Sequence, residues 1–392
     1  MKTGNPIQIN KDRSKFPPGS DAEHYDLSFK GRVAILETND CFSQARAVVN
    51  ELNRLKEAAK DSSWADFAIF GRNCSDLVPI RAALEDQDIP FVWSADKSSM
   101  PRMDRIIECY KLIEWLKCKG DVLITAQEIR NYIQEEADTN TANEWYQLLN
   151  EVNNEWYGET ANYEREAMLA VYFFYDALQD KGLDSQLGTG VYMSTAHSAK
   201  GLEFKHVIIA DGNLHSRRNN TEEERRVFYV AMTRAKKTLS VLEMAASNNI
   251  HTPLLTGESV MRVKANDTID IVDEILKRQY NIIGMDDVFI TYAGLRDQTT
   301  RLHKELNKLK VGDSLQMKEE GGKIFIETKK DFPLISLSQS GVRTWKNRLN
   351  SIINIKIKAI TIRNKEDAVD FEMETRVDQW RIPICEVCWL DR

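Results

Sequence analysis

Between Gly31 and Ser94 the sequence alternates three short apolar runs with two longer amphipathic ones, and that alternation leaves few architectures open. GRVAILET (31–38), DFAIFGR (66–72) and IPFVWS (89–94) have the length and bulk of buried strands. CFSQARAVVNELNRLKEAAK (41–60) sets Ala45, Val48, Val49, Leu52 and Leu55 on one helical face, and SDLVPIRAALEDQ (75–87) reads as a second helix. Strand, helix, strand, helix, strand predicts an α/β fold with a parallel sheet covered on both sides. The pattern stops near residue 100 and returns at 190. GVYMST (190–195), HVIIAD (206–211) and TLSVLE (238–243) are predicted strands, and TEEERRVFYVAMTRAKK (221–237) a helix. One sheet domain is therefore expected in two parts, 28–100 and 188–250.

The interruption, 101–187, reads as all-helical. RMDRIIECYKLIEWLKCK, TAQEIRNYIQEEAD, ANEWYQLLNEVNNEWY and YEREAMLAVYFFYDALQD are each amphipathic, and their aromatics (Trp115, Trp145, Tyr146, Trp156, Phe173, Phe174) read as core. Residues 251–284 read as a linker. Residues 285–392 alternate with period two in DVFITYAGL (287–295), DSLQMKEEGGKIFIET (313–328), INIKIKAITIR (353–363) and DFEMETRVDQWRIPICEVCW (370–389), with one helix at 295–310. A small, mostly β, barrel-like module is expected there.

The net charge of −7 argues against a nucleic-acid partner until its distribution is seen. Residues 121–180 hold 13 Asp/Glu and 2 Arg/Lys, whereas residues 301–365 hold 15 Lys/Arg and 6 Asp/Glu. One acidic block masks a chain that is otherwise mildly basic. No apolar run reaches membrane-spanning length, and the N-terminal stretch lacks the apolar core of a signal peptide. Six scattered cysteines predict a reducing, cytoplasmic setting; Cys385 and Cys388 would make half a zinc site with no second ligand pair in view.

Three stretches at strand ends carry chemistry. In FGRNCSDL, Arg72 follows a buried strand and precedes a helix. Its planar fork suits a phosphate, and equally suits a carboxylate on a neighbouring helix. In VYMSTAHSAKGLEF, the turn after the strand gathers hydroxyl, imidazole, ammonium and bare N–H groups, a set suited to phosphates, while Glu203 offers a carboxylate to ribose hydroxyls. Gly201 permits close approach or positive φ. In EEERRVFYVAMTRAKK, Phe228, Val230, Ala231 and Ala235 are expected to face the sheet, and Arg234 to approach the same phosphate as Arg72 in the manner of an arginine finger; taken as an isolated charge, Arg234 equally suits solvated surface.

Together, MSTAHSAKGLEFKHVII and EEERRVFYVAMTRAKKTL resemble motifs V and VI of the UvrD/Rep-like superfamily 1 DNA helicases, and AIFGRN with IRAALEDQDIPF resembles motif IV. The resemblance covers roughly residues 28–245 and implies the second RecA-like domain of such a motor. It implies that Arg72 and Arg234 contact the ATP γ-phosphate, that Glu203 lies by the nucleotide, and that Thr195, His197, Ser198 and Lys200 line the path of single-stranded DNA. DVFITYAGL and DQWRIPICEV are similar to the C-terminal β module of long bacterial RecQ-type proteins carrying an appended UvrD-like part.

The departures from the family also carry expectations. The sequence contains no G-x-x-x-x-G-K-[ST] loop, and no magnesium-binding acidic strand precedes residue 28. ATP and Mg2+ would then be held mainly by a missing first RecA-like domain, with residues 1–27 as the linker from it, and the chain alone is not expected to turn over ATP. Gly71 stands where many relatives carry a tyrosine that stacks on adenine. The expected function is the C-terminal half of an ATP-dependent DNA helicase, with single-stranded DNA and the missing domain as partners and no membrane; the resemblance alone implies 3′ to 5′ movement in replication, recombination or repair. Two alternatives stand beside it: a stand-alone, non-catalytic nucleic-acid-binding module, and a partner that donates its arginines to another ATPase.

Overall fold

The computed structural model describes residues 33–93, 100–137, 143–184, 190–199, 201–212, 221–245, 247, 249–257, 260–368 and 375–391. The chain divides into two compact units, Met1–Asp96 with Thr189–Arg278, and Lys97–Gly188 with Gln279–Arg392. Along the chain the first unit opens with β1 (Val33–Thr38), α1 (Cys41–Ala58), β2 (Phe67–Gly71), α2 (Cys74–Asp86) and β3 (Phe91–Trp93). The second unit begins with α3 (Ile107–Lys119), β4 (Leu123–Ile124), α4 (Ala126–Ala137), α5 (Glu144–Thr160), β5 (Arg165–Glu166) and α6 (Ala167–Asp184). The chain re-enters the first unit with β6 (Val191–Thr195), β7 (Phe204–Ile209), α7 (Thr221–Met232), β8 (Ala235–Met244), β9 (Val260–Lys264) and α8 (Asp273–Leu276). It completes the second with β10 (Arg278–Ile283), α9 (Arg301–Lys308), β11 (Ser314–Glu320), β12 (Lys323–Glu327), β13 (Pro333–Ser336), α10 (Gln339–Trp345), β14 (Ile352–Asn364) and β15 (Gln379–Leu390).

The first unit is the expected parallel sheet, ordered β3-β6-β2-β7-β8-β1-β9, with every pair parallel. Its strands are buried on both faces, so they read as continuous apolar runs. Phe67 and Ile69 share a core with Val48, Leu52, Leu77 and Ile80 of α1 and α2, whereas Ala68 and Phe70 share the opposite core with Phe228 and Ala231 of α7. Local chemistry starts the helices. Asp40 caps α1 by accepting from the N–H groups of Phe42 (2.9 Å) and Ser43 (2.7 Å), and Ser43 Oγ accepts in return from Asp40 N (2.9 Å). At α2 the return bond is made, with Asp76 accepting from the N–H of Asn73 (3.0 Å), while the N–H of Asp76 donates to the Asn73 backbone carbonyl (3.2 Å).

Three sequence readings change. Residues 251–284, read as a linker, contain β9, which adds a seventh strand beside β1, and Ile271 and Leu276, which are buried in the α1–α2 core. Arg46 of α1 holds this return by donating from Nε to the carbonyl of Ile271 (3.0 Å). On α7 the inward residues are Val227, Phe228 and Ala231, and Val230 is only half-buried. DVFITYAGL is no strand: Tyr292 and Leu295 donate to the carbonyls of Phe289 (3.0 Å) and Thr291 (3.0 Å), which closes turns. The helix expected at 295–310 is α9, Arg301–Lys308.

The second unit joins the helical insert and the β module in one core. Ile113, Ile129, Leu148, Trp156 and Phe174 belong to the same buried cluster as Leu315, Ile326, Ile355, Ile360, Trp380 and Val387. Trp145 Nε1 donates to the carbonyl of Lys358 (2.9 Å), and Thr361 Oγ1 donates to that of Arg105 (3.2 Å). The sheet order is β10-β15-β14-β11-β12-β13, with an antiparallel ladder running from β15 to β13. It curls toward a barrel: an isolated antiparallel bridge joins Val288, just after β10, to Leu337, just after β13. Cys385 and Cys388 are buried in β15, and no cluster of three or more metal-ligating side chains occurs among the described residues.

Inside the parallel sheet, His206 is fully buried on β7, stacked on Phe67 (4.6 Å), with its two ring nitrogens against Ser62 Oγ (3.2 Å) and Thr238 Oγ1 (2.8 Å). Burial, above all, pushes its pKa down to about 4. The unfolded chain therefore binds a proton that the native one refuses between about pH 6.5 and 4.

Two outcomes are expected. Residues 279–392 expressed without 97–188 lack a cooperative thermal transition by circular dichroism, because their core is half helical insert. In urea titrations, the wild type loses stability relative to His206→Gln as pH falls from about 6.5 to about 4, by at most about 3 kcal/mol. Above pH 6.5 the difference between the two proteins is constant.

Candidate functional site

In a parallel sheet all C-terminal strand ends share one edge. In the first unit that edge collects Gly71, which ends β2, with Arg72 after it, Thr195, which ends β6, with Ala196 to Ser198 after it, and Ala210 to Gly212 after β7. Backbone bonds lock these ends together: Ala196 donates to the carbonyl of Gly71 (2.9 Å) and Ala210 to that of Phe70 (2.8 Å). The Thr195 and Ser198 hydroxyl oxygens lie 3.2 Å apart, and the Ser198 N–H donates to the Thr195 carbonyl (3.0 Å). His197 between them is exposed. Lys200 lies outside the described residues.

Arg72 is held by a carboxylate. Its Nε and Nη2 donate to the two oxygens of Glu224 in the first turn of α7, at 2.6 and 2.7 Å. Glu224 is 3% exposed and Arg72 18% exposed, so the pair is largely out of water. The hydrogen bonds that Arg72 donates to Glu224 raise the Arg72 pKa further. Gly71 has a steric reason to be glycine, because a Cβ there would come 2.8 Å from Cγ of Leu77. Phe70 is wholly in the core.

Two further acids organise this edge, and sequence reading had not singled them out. Asp211, buried, accepts from the N–H groups of Gly212 (2.9 Å) and Met244 (2.8 Å) and from Asn249 Nδ2 (3.3 Å), while its backbone exchanges hydrogen bonds with the Gln44 amide at 3.2 and 2.7 Å. Asp76 accepts from the N–H of Asn73 (3.0 Å), and burial raises its pKa, with the charge of Asp211 adding to the effect. The one legible signal was the placement of Asp211 at the end of HVIIAD.

Glu203 and Arg234 stand at the opposite edge. Glu203 immediately precedes β7 and Arg234 immediately precedes β8, and the N–H of Phe204 donates to the Arg234 carbonyl (2.9 Å). The Arg234 side chain folds over the end of α7: Nε donates to the carbonyl of Val230 (2.9 Å), Nη1 to that of Leu202 (3.2 Å) and Nη2 to Thr233 Oγ1 (3.2 Å). Glu203 pairs with Lys236 at 3.0 Å, both more than half exposed. The expected convergence of Arg72 and Arg234 is therefore not what the structure contains. Each is anchored at a different end of α7, which runs back from the C-terminal to the N-terminal edge.

One stretch connects the two edges. Residues 196–203 link the end of β6 to the start of β7, and those of them that are described form no regular helix. Ala196 and Ala199 are buried beneath them in the core that holds Phe70, Tyr192 and Phe204, and the Tyr192 and Phe204 rings stack at 5.3 Å. With two alanines plugged inward at a spacing of three, His197, Gly201 and Glu203 are left on the surface. Gly201 adopts φ +88°, a conformation other residues rarely take.

A sequence model of the UvrD-like helicase C-terminal domain matches residues 119–245, a span that holds the crossover and α7 and leaves out Arg72. Two relatives are similar over the same order of length. A probable DNA helicase II homolog of Mycoplasma genitalium is 26% identical over 162 residues, 38% of this chain and 22% of that protein. A probable DNA helicase II homolog of Mycoplasma pneumoniae is 28% identical over 161 residues, 38% of this chain and 21% of that protein. The matched stretch spans about a fifth of the length of these curated relatives. The parallel sheet with helices on both faces fits a RecA-like α/β domain.

The Arg72–Glu224 pair yields a direct test. Arg72→Gln should cost about 2 to 4 kcal/mol of unfolding free energy, since it leaves a carboxylate inside with two fewer donors. The double variant with Glu224→Gln should recover about 2 kcal/mol of that loss in a double-mutant cycle by urea denaturation.

Proposed function

We propose that this chain acts as the second RecA-like domain of a UvrD-like DNA helicase, using single-stranded DNA and ATP together with a first RecA-like domain that carries the phosphate loop. The observation that carries the proposal is the 196–203 crossover. One end offers Thr195, His197 and Ser198 at the C-terminal edge, and the other offers Glu203 beside Arg234 at the N-terminal edge. A movement at either end is transmitted through a short segment pinned by Ala196 and Ala199.

In this reading the C-terminal edge meets DNA phosphates through hydroxyl, imidazole and backbone N–H groups. The N-terminal edge meets the nucleotide. Glu203 is exposed enough to accept from ribose hydroxyls, and Arg234 brings a guanidinium that must exchange the carbonyls of Val230 and Leu202 for phosphate oxygens. ATP, carrying Mg2+ on its phosphates, supplies the hydrolysable bond when it is bound. The part of this chain is to position that group and to stabilise charge through Arg234. Arg72 takes a positioning role: held by Glu224, it keeps the β2 end and α7 in register beside the DNA-facing loop. The β module is, in the same proposal, the counterpart of the C-terminal module of RecQ-type proteins with a UvrD-like part.

The hydrogen bonds already made by Arg234 favour a second reading, a DNA-binding module that never engages ATP. One set of assays separates the two. A fluorescein-labelled oligo-dT of about 20 nucleotides should bind the chain, more weakly as salt rises, and Thr195→Ala with His197→Ala should weaken it about tenfold. Mixed with a separately expressed P-loop-bearing first domain of a UvrD-like helicase, the chain should confer DNA-stimulated ATP hydrolysis. Arg234→Ala should reduce that rate at least about a hundredfold and leave DNA binding unchanged. Binding without any conferred hydrolysis supports the second reading, and absence of oligo-dT binding rejects both.

A further inference from the structure

The second unit carries an apolar surface that its own core leaves outside. Among the described residues, six of the ten exposed large hydrophobic side chains fall between positions 122 and 172. Five of them lie on or next to the β4–β5 pair and the first two turns of α6: Val122 (56% exposed), Leu123 (54%), Tyr163 (69%), Leu169 (47%) and Tyr172 (61%). Leu123 lies opposite Glu166 and Ile124 opposite Arg165, two residues from Tyr163. Ala167 donates its N–H to the Val122 carbonyl (3.0 Å) and begins α6. On that helix Leu169 and Tyr172, three apart, point away from the side that buries Ala167, Ala170, Val171 and Phe174. The core beneath is complete, with Ile124 and Phe174 buried, so these five side chains have no inward place left to take.

The same segments carry more acid than base. Asp121, Glu164, Glu166 and Asp176 are exposed there, against Arg165 and, in the turn that leads into Val122, Lys119. Large apolar side chains left exposed within one supersecondary element mark a candidate binding face, and the charges among them decide what fits. DNA is repelled. A second copy of the chain is a poor fit: its basic stretch, 301–365, presents one large exposed apolar side chain among the described residues, Ile353, against five to be covered.

We infer that the Val122–Tyr172 face docks a cationic amphipathic helix of a partner protein, with aliphatic or aromatic anchors against Leu123, Leu169 and Tyr172 and flanking Lys or Arg toward Glu164, Glu166 and Asp176. Tyrosine rings suit both parts of such a ligand, as apolar area and as a negative face for cations. Apolar residues three and four apart on one helix would meet the similarly spaced Leu169 and Tyr172.

The experiment uses the whole chain, without DNA or nucleotide, so that its failure is separate from any failure of the helicase reading. The probe is a labelled Leu/Lys amphipathic peptide of about 18 residues, compared with a permuted peptide of identical composition that cannot form an apolar face. Fluorescence anisotropy should show the amphipathic peptide binding at least about tenfold tighter than the permuted one. The double variant Tyr163→Ser, Tyr172→Ser should lose about tenfold, and Glu164→Gln with Glu166→Gln should lose several-fold, more so at low salt. These side chains point outward, and an unchanged circular dichroism melt would show that the variants fold; if the tyrosine pair does not, the glutamate pair still decides. Equal binding of both peptides, or binding unaffected in folded variants, overturns the proposal. So does self-association of the wild type in sedimentation velocity that the tyrosine variants abolish, since the face would then belong to a second copy.

Discussion

An all-parallel sheet obliges the chain to travel back from the C-terminal to the N-terminal edge between every two strands. In this protein most of those returns are helices or long excursions, but the one from β6 to β7 takes only residues 196–203. It manages the distance because Ala196 and Ala199 are small enough to sink into the core beside Phe70, Tyr192 and Phe204. That packing fixes which residues of the crossover stay in solvent, and with them the chemistry offered at both edges of the sheet. The rest of the candidate site is arranged around this return: α7 runs the same way alongside it, with Arg72 bound at its start and Arg234 folded over its end.

Electrostatics is handled by burial and pairing rather than by exposed charge. Glu224 and Asp211 are both nearly inaccessible, and both are supplied with donors, Glu224 by the Arg72 fork and Asp211 by three N–H groups from three segments. A buried carboxylate without such donors would carry a large desolvation cost. Their role is to hold loops from distant parts of the chain in a common register. The exposed Glu203–Lys236 pair, by contrast, is worth little.

The second unit shows a different economy of packing. Four amphipathic helices and a curled antiparallel sheet share a single core, although Thr189–Arg278 of the parallel-sheet unit lies between them in sequence. Neither part has enough apolar surface covered by itself. Trp145 illustrates the join, because its indole N–H reaches the backbone of β14 more than two hundred residues away. The acidic, tyrosine-rich face at β4 and β5 is what remains after that joint core is filled.

The sequence by itself determined the sheet: six of its seven strands are apolar runs bounded by turn residues, and the helices between them show one wet and one dry face. It determined the polar loop after β6 as well, since His, Ser, Lys and Gly in a row between two buried strands have few structural uses. Residues 287–295 misled because apolar alternation also suits a series of turns that packs one side inward, and β9 escaped notice because an edge strand with half-exposed residues lacks a continuous apolar run. Only the tertiary structure decided that Arg72 belongs with Glu224, 152 residues away, that Arg72 and Arg234 stand at opposite edges, and that the insert and the β module are one body. The physical reason is the same in each case. Periodicity records whether a residue faces water or core, whereas the identity of its partner depends on which segments the fold brings together, and no local pattern encodes that.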